Sequence, residues 1–171
     1  MTADAQSVSD QSADTGPSPT VVVPTRNAAR SFAACLQSLR AQAYPCRWVV
    51  VDNDSGDGTA VIAEQGADVV LHGGPERSAQ RNCGARAYPA EIVRSVDADM
   101  LLVPTVVAEA MAATGHGAGS VVVPEHTVGS GFWAEVRTFE RSFYDSSDAI
   151  EAARFFAWDV FQLASVASSW R

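Results

Sequence analysis

The sequence contains no lysine, and all 12 basic residues of the 171-residue chain are arginine. A Walker-type phosphate loop and Schiff-base catalysis both require a lysine amine, so these two kinds of chemistry are excluded. The basic residues are outnumbered by 20 acidic ones, which gives a formal net charge of −8. Because proteins that bind nucleic acid need a basic face, we expect no nucleic-acid partner.

Cysteine is scarce as well, and the three residues Cys35, Cys46 and Cys83 contain no CxxC pair. We expect them to be reduced thiols in a cytoplasmic protein rather than a disulfide framework or a zinc site. No basic residue precedes Arg26, and no apolar run of signal-peptide length lies near the start. The sequence therefore predicts neither export by a standard signal nor a membrane-spanning segment.

Residues 1–19 are rich in Ser, Asp, Ala and Pro, which predicts a disordered acidic tail because almost nothing in them can be buried. Residues 20–171 are predicted to form one domain. Short apolar runs predict strands at Thr20–Val23, Trp48–Val51, Val69–Leu71, Ile92–Val96 and Val121–Val123. Helical patterns predict helices around Phe32–Leu39, with Ser31 as a cap, at Thr59–Gln65, with Gly66 as the C′ residue, at Ser78–Tyr88, at Thr105–Ala113 and at Phe132–Phe143.

All-apolar strands that alternate with helices are typical of a parallel sheet that is covered on both faces. We therefore predict an α/β fold, a three-layer α/β/α sandwich with a mostly parallel, Rossmann-like sheet. Such sheets bind ligands at the carboxyl ends of their strands. The residues that follow each strand are the first candidates for a functional site.

The first two strand ends carry polar loops without a glycine-rich dinucleotide motif. Pro24, Thr25, Arg26 and Asn27 follow the first strand and also suit an ordinary turn. Asp52 follows the second strand and begins a loop rich in Asp, Gly and Ser. A calcium loop is excluded there, because the residue types at its fifth, sixth and last positions do not match.

The next two strand ends carry charges that can bind a ligand or a metal. Arg81 lies near the start of a helix, where the positive end of the helix dipole is unfavourable to it, so it is either held by an anionic group or by a carbonyl, or simply exposed at the surface. Asp97 and Asp99 follow the fourth strand and can share one divalent cation. The alternative is helix capping, but Pro104 places the next helix too far along the chain. A phosphatase of the haloacid-dehalogenase type is disfavoured, since its aspartate pair follows the first strand.

Four segments, VVVPTRNAARSFAACLQSLRAQAY, VVVDNDSGDGT, ERSAQRNCGARA and VRSVDADM, resemble the family 2 glycosyltransferases of GT-A fold in order and spacing. The resemblance implies a half-domain that binds a nucleotide sugar. It implies that Asp52 accepts a hydrogen bond from the base, and that Arg81 contacts the base or the diphosphate. Asp97 would lie near the ribose and the metal, and Asp99 would be the principal metal ligand. The implied nucleoside pocket also includes Pro24, Thr25 and Asn27.

The resemblance further implies transfer of the sugar with inversion and with Mg²⁺ or Mn²⁺ as cofactor. The nucleotide-sugar donor is the expected partner. A carbohydrate, lipid or protein acceptor, peripheral membrane association and self-association through the aromatic residues near the C-terminal end are left open. Two departures from the family are Arg26, where an aromatic residue is frequent, and Asn53, where a second aspartate is frequent.

The catalytic base is the element that the sequence does not supply. In the family it comes from an acidic segment after the fifth strand, and no such segment follows Glu125. The acidic residues left to consider are Glu125, Glu135, Glu140, Asp145, Asp148, Glu151 and Asp159. We therefore expect a C-terminally truncated domain, with a non-catalytic sugar-nucleotide-binding remnant as the alternative to an active enzyme.

Overall fold

The computed structural model describes residues 18–124, 126, 131, 135, 136, 139 and 153–167. The predicted tail up to residue 17 and most of the predicted helix over 132–143 lie outside the described residues. Pro19, which we assigned to the tail, belongs to the fold, because its carbonyl accepts a hydrogen bond from Arg47 N at 3.0 Å.

Strands and helices alternate along the described part of the chain until β5. In chain order, the elements are β1 (Thr20–Thr25), α1 (Ala29–Arg40), β2 (Arg47–Asp52), α2 (Thr59–Gly66), β3 (Val69–His72), α3 (Arg77–Ala87), β4 (Ile92–Ser95), α4 (Val106–Gly115), β5 (Ser120–Val122), β6 (Ala153–Ala157) and α5 (Trp158–Ala167). The five predicted strands are confirmed as β1 to β5. The prediction missed β6 and α5.

In the described part of the chain the strands form one six-stranded sheet in the order β3-β2-β1-β4-β6-β5. Strands β1 to β4 are parallel to one another. Strand β6 runs antiparallel to both of its neighbours, β4 and β5. The mostly parallel α/β sheet is thus confirmed. Because the parallel strands start at the same edge, their carboxyl ends meet at the opposite edge.

Two apolar layers cover the sheet, as the alternation of side chains along a strand requires. The first layer joins Val21, Val23 and Val50 to α1 and α4. The second layer joins Val22, Val49, Val51 and Val93 to Ala85 of α3, with Trp158 and Phe161 of α5 packed against it. A Cβ atom on Gly84 would lie 2.5 Å from Val22 Cγ1, so glycine lets α3 approach the sheet closely.

Two predicted helix ends are wrong. Ser31 is not a cap, because α1 begins at Ala29 and its N-cap position is Ala28. Gly66 is the last residue of α2 rather than a left-handed C′ residue. A Cβ atom there would lie 2.5 Å from Leu36 Cδ2, so this glycine serves close packing between α1 and α2.

Several of the aromatic residues near the C-terminal end pack against the rest of the fold. Phe155 is fully buried, and Arg94 lies over its ring at 4.2 Å from the centroid. Trp158 and Phe161 stack with their ring centroids 5.6 Å apart. Phe139 is 66% exposed. Formation of β6 and α5, which the sequence did not predict, accounts for the buried members of this set. Among the described residues, no helix has both the length and the apolar character needed to cross a membrane.

Candidate functional site

An open cavity of about 460 Å³ lies at the carboxyl ends of β1, β2 and β4 and beside the start of α3. This volume is within the range of small-molecule binding sites. The residues that line it are Pro24, Thr25, Arg26, Asn27, Ala28, Ser31, Asn53, Pro75, Glu76, Arg77, Gln80, Asp97, Ala98 and Asp99. The structure therefore brings together most of the predicted site residues, while Asp52 and Arg81 lie outside this lining.

Asp52 lies beneath the cavity and is only 1% exposed. It stands in register with Thr25, because β1 and β2 pair along their whole length. Asp52 Oδ1 accepts hydrogen bonds from Thr25 Oγ1 at 2.8 Å and from Ser55 Oγ at 2.6 Å. Asp52 Oδ2 accepts a third from Ser55 N at 2.9 Å. These bonds tie the ends of the two strands to the loop that follows β2.

The same bonds keep the Asp52 carboxylate ionised. Desolvation is the largest single influence on it and raises its pKa, but the hydrogen bonds from Ser55 and Thr25 together outweigh burial. The pKa of Asp52 consequently lies below its ordinary value. Hydrogen-bond donors are thus the main stabilisation of this buried negative charge, and the charge of His72 makes a smaller contribution in the same direction.

Asn27 turns the chain from β1 into α1 and forms one wall of the cavity. Its φ of 48° is in the left-handed region, which asparagine tolerates better than most residues. Its backbone N donates to Ser55 Oγ at 2.8 Å, and its side-chain Oδ1 accepts from Gly56 N at 2.9 Å. The loop after β2 thus fixes the cavity wall from the side.

The start of α1 is capped by side chains of that loop rather than by its own residues. Ala28 N donates to Thr59 Oγ1 at 2.8 Å, and Ala29 N donates to Asp57 Oδ2 at 3.0 Å. Asp57 Oδ1 also accepts from Thr59 N at 3.1 Å. Asp57 and Thr59 therefore accept hydrogen bonds from backbone N–H groups at the start of α1 that have no partner within the helix.

Gln80 of α3 links the carboxyl ends of β1 and β2. It is 2% exposed, and its Nε2 donates to Thr25 O at 2.9 Å and to Val51 O at 2.6 Å. We did not single out Gln80 from the sequence. The signal that could have identified it is its spacing: Gln80 precedes Gly84 by four residues, so it lies on the helix face that packs against the sheet.

Asp97 and Asp99 follow β4 and both line the cavity. Arg81 Nη2 donates to Asp97 Oδ1 at 2.6 Å, with side-chain exposures of 32% for Arg81 and 17% for Asp97. Asp99 is exposed. Three alternatives were open for Arg81 from the sequence, an anionic group, a carbonyl or an exposed surface, and the structure supplies an anionic group from within the chain.

The two aspartates suit a hard divalent cation such as Mg²⁺ or Mn²⁺, because carboxylate oxygens are its preferred ligands. No group of three His, Cys, Asp or Glu side chains in the described part of the chain could hold a metal by itself. Cys35 donates to Asp97 O at 3.6 Å, but burial, with the nearby charge of Asp99, raises its pKa to about 12. A cation would need further oxygen atoms from a ligand and from water.

The rim of the cavity carries further charged and polar residues that were not among the predicted site residues. Arg77 and Glu76 stand at the start of α3, and Asn53 begins the loop after β2. Arg26, which departs from the family pattern, contributes a second guanidinium. Asn53 Nδ2 donates to Pro75 O at 3.3 Å, which links the two loops. The cavity therefore contains two guanidinium groups that can bind an anion. It also contains side-chain amides that can form hydrogen bonds with a polar ring such as a nucleobase.

The candidate bases fall into three groups. Glu125, Glu140, Asp145, Asp148 and Glu151 lie outside the described residues. Glu135 is exposed and is not among the residues that line the cavity. Asp159 lies at the opposite edge of the sheet, because β6 runs antiparallel and its last residue pairs with Ile92, the first residue of β4. The structure therefore excludes Asp159 as a group that acts in the cavity.

The family model described as glycosyl transferase family 2 matches residues 20–162. The chain belongs to this family. The match begins at the first residue of β1 and includes all of the strands described above. The resemblance stated from the four sequence segments is thus confirmed.

Solved structures of glycosyltransferases share the fold of this domain, the GT-A fold. The mannosyltransferase PcManGT from Pyrobaculum calidifontis, in complex with GDP-Man and Mn²⁺, is 28% identical over 62% of this chain, with a TM-score of 0.54. Mannosyl-3-phosphoglycerate synthase from Rubrobacter xylanophilus is 20% identical over 82%, with a TM-score of 0.57. Glucosyl-3-phosphoglycerate synthase from Mycobacterium tuberculosis, in complex with Mn²⁺, UDP and glucosyl-3-phosphoglycerate, is 17% identical over 84%, with a TM-score of 0.60.

These matches cover only part of the relatives. The chain spans 34% of the Pyrobaculum protein, 53% of the Rubrobacter protein and 57% of the Mycobacterium protein. No curated protein sequence matches the chain.

Proposed function

We propose that the cavity binds a nucleoside-diphosphate sugar and that the domain is the donor-binding part of a glycosyltransferase. The observation that carries this proposal is the convergence of Asp97, Asp99, Arg26 and Arg77 on one cavity at the strand ends. Carboxylates for a cation next to arginines for an anion suit a diphosphate that enters with its metal. Membership in glycosyl transferase family 2 supports the same assignment.

Within this proposal each part of the cavity has one task. Pro24, Thr25 and Asn27 line the nucleoside subsite, and Asn27 is held in place by the loop after β2. Asp52 lies below that subsite; the role that the resemblance gives it, as acceptor of a hydrogen bond from the base, stays a prediction. Arg77 stands at the start of α3, so its guanidinium adds to the partial positive charge of the helix terminus. Both favour an anionic group there.

Asp97 and Asp99 are the proposed ligands of Mg²⁺ or Mn²⁺. Bound there, such a cation would act as a Lewis acid that stabilises the charge on the departing nucleoside diphosphate. The protein contributes a fixed strand end, on which Arg81 orients the Asp97 carboxylate. Inversion at the anomeric carbon, which the family resemblance implies, requires a base on the acceptor side of the sugar. The acceptor class remains carbohydrate, lipid or protein.

A second candidate function is binding of the nucleotide sugar without transfer. It is favoured by the position of Asp159 at the far edge of the sheet, away from the cavity. Of the described carboxylates, only Glu76, Asp97 and Asp99 line the cavity, and the last two are assigned to the metal. The two functions share the donor site and differ in turnover.

Isothermal titration of the protein with UDP, GDP and dTDP, each with and without Mn²⁺, tests whether the cavity binds the nucleotide, which both candidate functions require. We expect one nucleotide to bind with at least tenfold higher affinity when Mn²⁺ is present. Absence of binding by all three nucleotides under both conditions would refute the proposal.

Incubation of the preferred labelled nucleotide sugar with cell-derived acceptors then separates the two candidate functions. Robust transfer supports the enzyme, and binding with slow donor hydrolysis alone supports the non-catalytic module.

A further inference from the structure

The ion pair between Arg81 and Asp97 lies at the proposed metal site. Its Nη2–Oδ1 distance is 2.6 Å. Arg81 Nε is buried and has no hydrogen-bond partner among the described residues. Asp97 is therefore the group on which the position of this guanidinium depends, and the pair is short enough to be a charge-assisted hydrogen bond.

The positive charges around the cavity nearly offset the negative ones. Glu76, Asp97 and Asp99 contribute three negative charges to its lining, and Arg26 and Arg77 contribute two positive ones. Arg81, through its contact with Asp97, adds the third positive charge. The ionised Asp52, which like Arg81 lies outside the lining, leaves one net negative charge. Two carboxylates with three arginines nearby attract a divalent cation much less than the same carboxylates would by themselves.

We propose that Arg81 acts as an internal counterion that lowers the affinity of the Asp97–Asp99 pair for a free divalent metal. This inference rests on the proposed function of the cavity. The guanidinium already occupies one oxygen of a metal ligand, and its charge repels any cation that approaches the second aspartate. The metal is then held firmly only when a diphosphate brings additional negative charge and oxygen ligands. Arg81 is in this sense a positioning residue, one that acts on the metal through Asp97.

Replacement of Arg81 by glutamine gives two effects of opposite sign. Binding of Mn²⁺ alone, followed by the electron paramagnetic resonance signal of free Mn²⁺, should tighten on the order of tenfold, because a nearby positive charge is removed. Binding of UDP or GDP without metal should weaken, because the cavity becomes more negative. A residue with a merely structural role would weaken both, since its loss would disorder Asp97.

Arg86→Gln is the matched control, because Arg86 is exposed in the last turn of the same helix. It removes the same charge away from the cavity and should leave both affinities within about twofold of the wild type. Arg81→Lys retains the charge and should also stay close to the wild-type Mn²⁺ affinity. A tenfold change in the lysine variant would overturn the proposal, as would unchanged or weaker Mn²⁺ binding in Arg81→Gln.

Melting temperatures report whether each variant is folded, and Arg81→Met replaces the glutamine variant if that one is not. The Mn²⁺ measurement needs no nucleotide, so it decides this proposal independently of the proposed function. If no nucleoside diphosphate binds the wild type while Arg81→Gln still binds Mn²⁺ more tightly, the counterion role stands and the proposed function fails. If a nucleoside diphosphate binds the wild type while the wild type and Arg81→Gln bind Mn²⁺ equally well, the proposed function stands and the counterion role fails.

Discussion

Asp52 is the last residue of β2 and Asp97 lies two residues beyond the end of β4, yet the two carboxylates have different surroundings. Asp52 is 1% exposed and accepts three hydrogen bonds from Thr25 and Ser55. The Asp97 side chain is 17% exposed, pairs with Arg81 and lines the cavity. Hydrogen-bond donors of the protein surround the Asp52 carboxylate, whereas the Asp97 carboxylate lies where a ligand in the cavity can contact it.

The comparison teaches that a strand end does not by itself define a binding residue. Asp52 has its role because Thr25 stands beside it in the paired strand and because Ser55 follows three residues later. Asp97 is oriented by a helix residue instead and keeps contact with the cavity. We therefore expect changes at Asp52 to affect mainly stability and changes at the β4 end to affect mainly binding.

The largest effect is expected from Asp52→Ala. It would leave the donors of Thr25 and Ser55 without a buried acceptor, which costs about 3 kcal/mol of the free energy of unfolding. For a domain of this size the melting temperature should fall by roughly 6–12 °C. Thermal unfolding without ligand measures this. A loss equal to that of Asp99→Asn would contradict the contrast between the two strand ends.

Asp99→Asn is expected to change binding instead of stability. It is exposed and lies in the cavity, so its melting temperature without ligand should stay within about 2 °C of the wild type. The affinity for the preferred nucleoside diphosphate in the presence of Mn²⁺ should fall on the order of a hundredfold, since a metal ligand has lost its charge. Titration calorimetry measures this, and an unchanged Mn²⁺-dependent affinity would remove Asp99 from the metal site.

The stability due to Asp52 should depend on pH. The pKa of Asp52 is lower in the folded protein than its ordinary value of about 3.9, so the unfolded chain takes up its proton first as the pH falls. The stabilisation is present above that ordinary value and is lost as the pH falls through the lower native pKa. The difference in melting temperature between the wild type and Asp52→Asn should therefore shrink between pH 5 and pH 3. A difference that stays constant would show that Asp52 stabilises the fold without its charge.

The smallest effect is expected from Asp54→Asn, in the same loop as Ser55. Asp54 is exposed, its φ of 48° is tolerated by asparagine, and it is not among the residues that line the cavity. Its replacement should change the free energy of unfolding by less than about 0.5 kcal/mol and leave nucleotide affinity unchanged. A clear loss of binding in this variant would extend the site beyond the cavity described here.

Much of the fold could be predicted from the sequence, because β1 to β5 are short apolar runs in regular alternation with helices. Strand β6 could not, since its place between β4 and β5 depends on pairing of Phe155 with Arg94, far away along the chain. The position of Asp159, one of the acidic residues left to consider as a base, could not be predicted for the same reason. The direction of β6, which no local pattern reveals, puts that residue at the edge opposite the cavity.

The candidate site divides in the same way. Pro24, Thr25, Asn27, Asp97 and Asp99 could be placed at one edge from the sequence, because parallel strands bring their carboxyl ends together. The sequence by itself determined the family, the strands and the residues that follow them, since periodicity and motif spacing are local properties. Only the tertiary structure decided that Asp52 is enclosed and that Asp97 meets Arg81. Those outcomes depend on contacts across 27 and 16 residues of chain, which strand register and helix packing create.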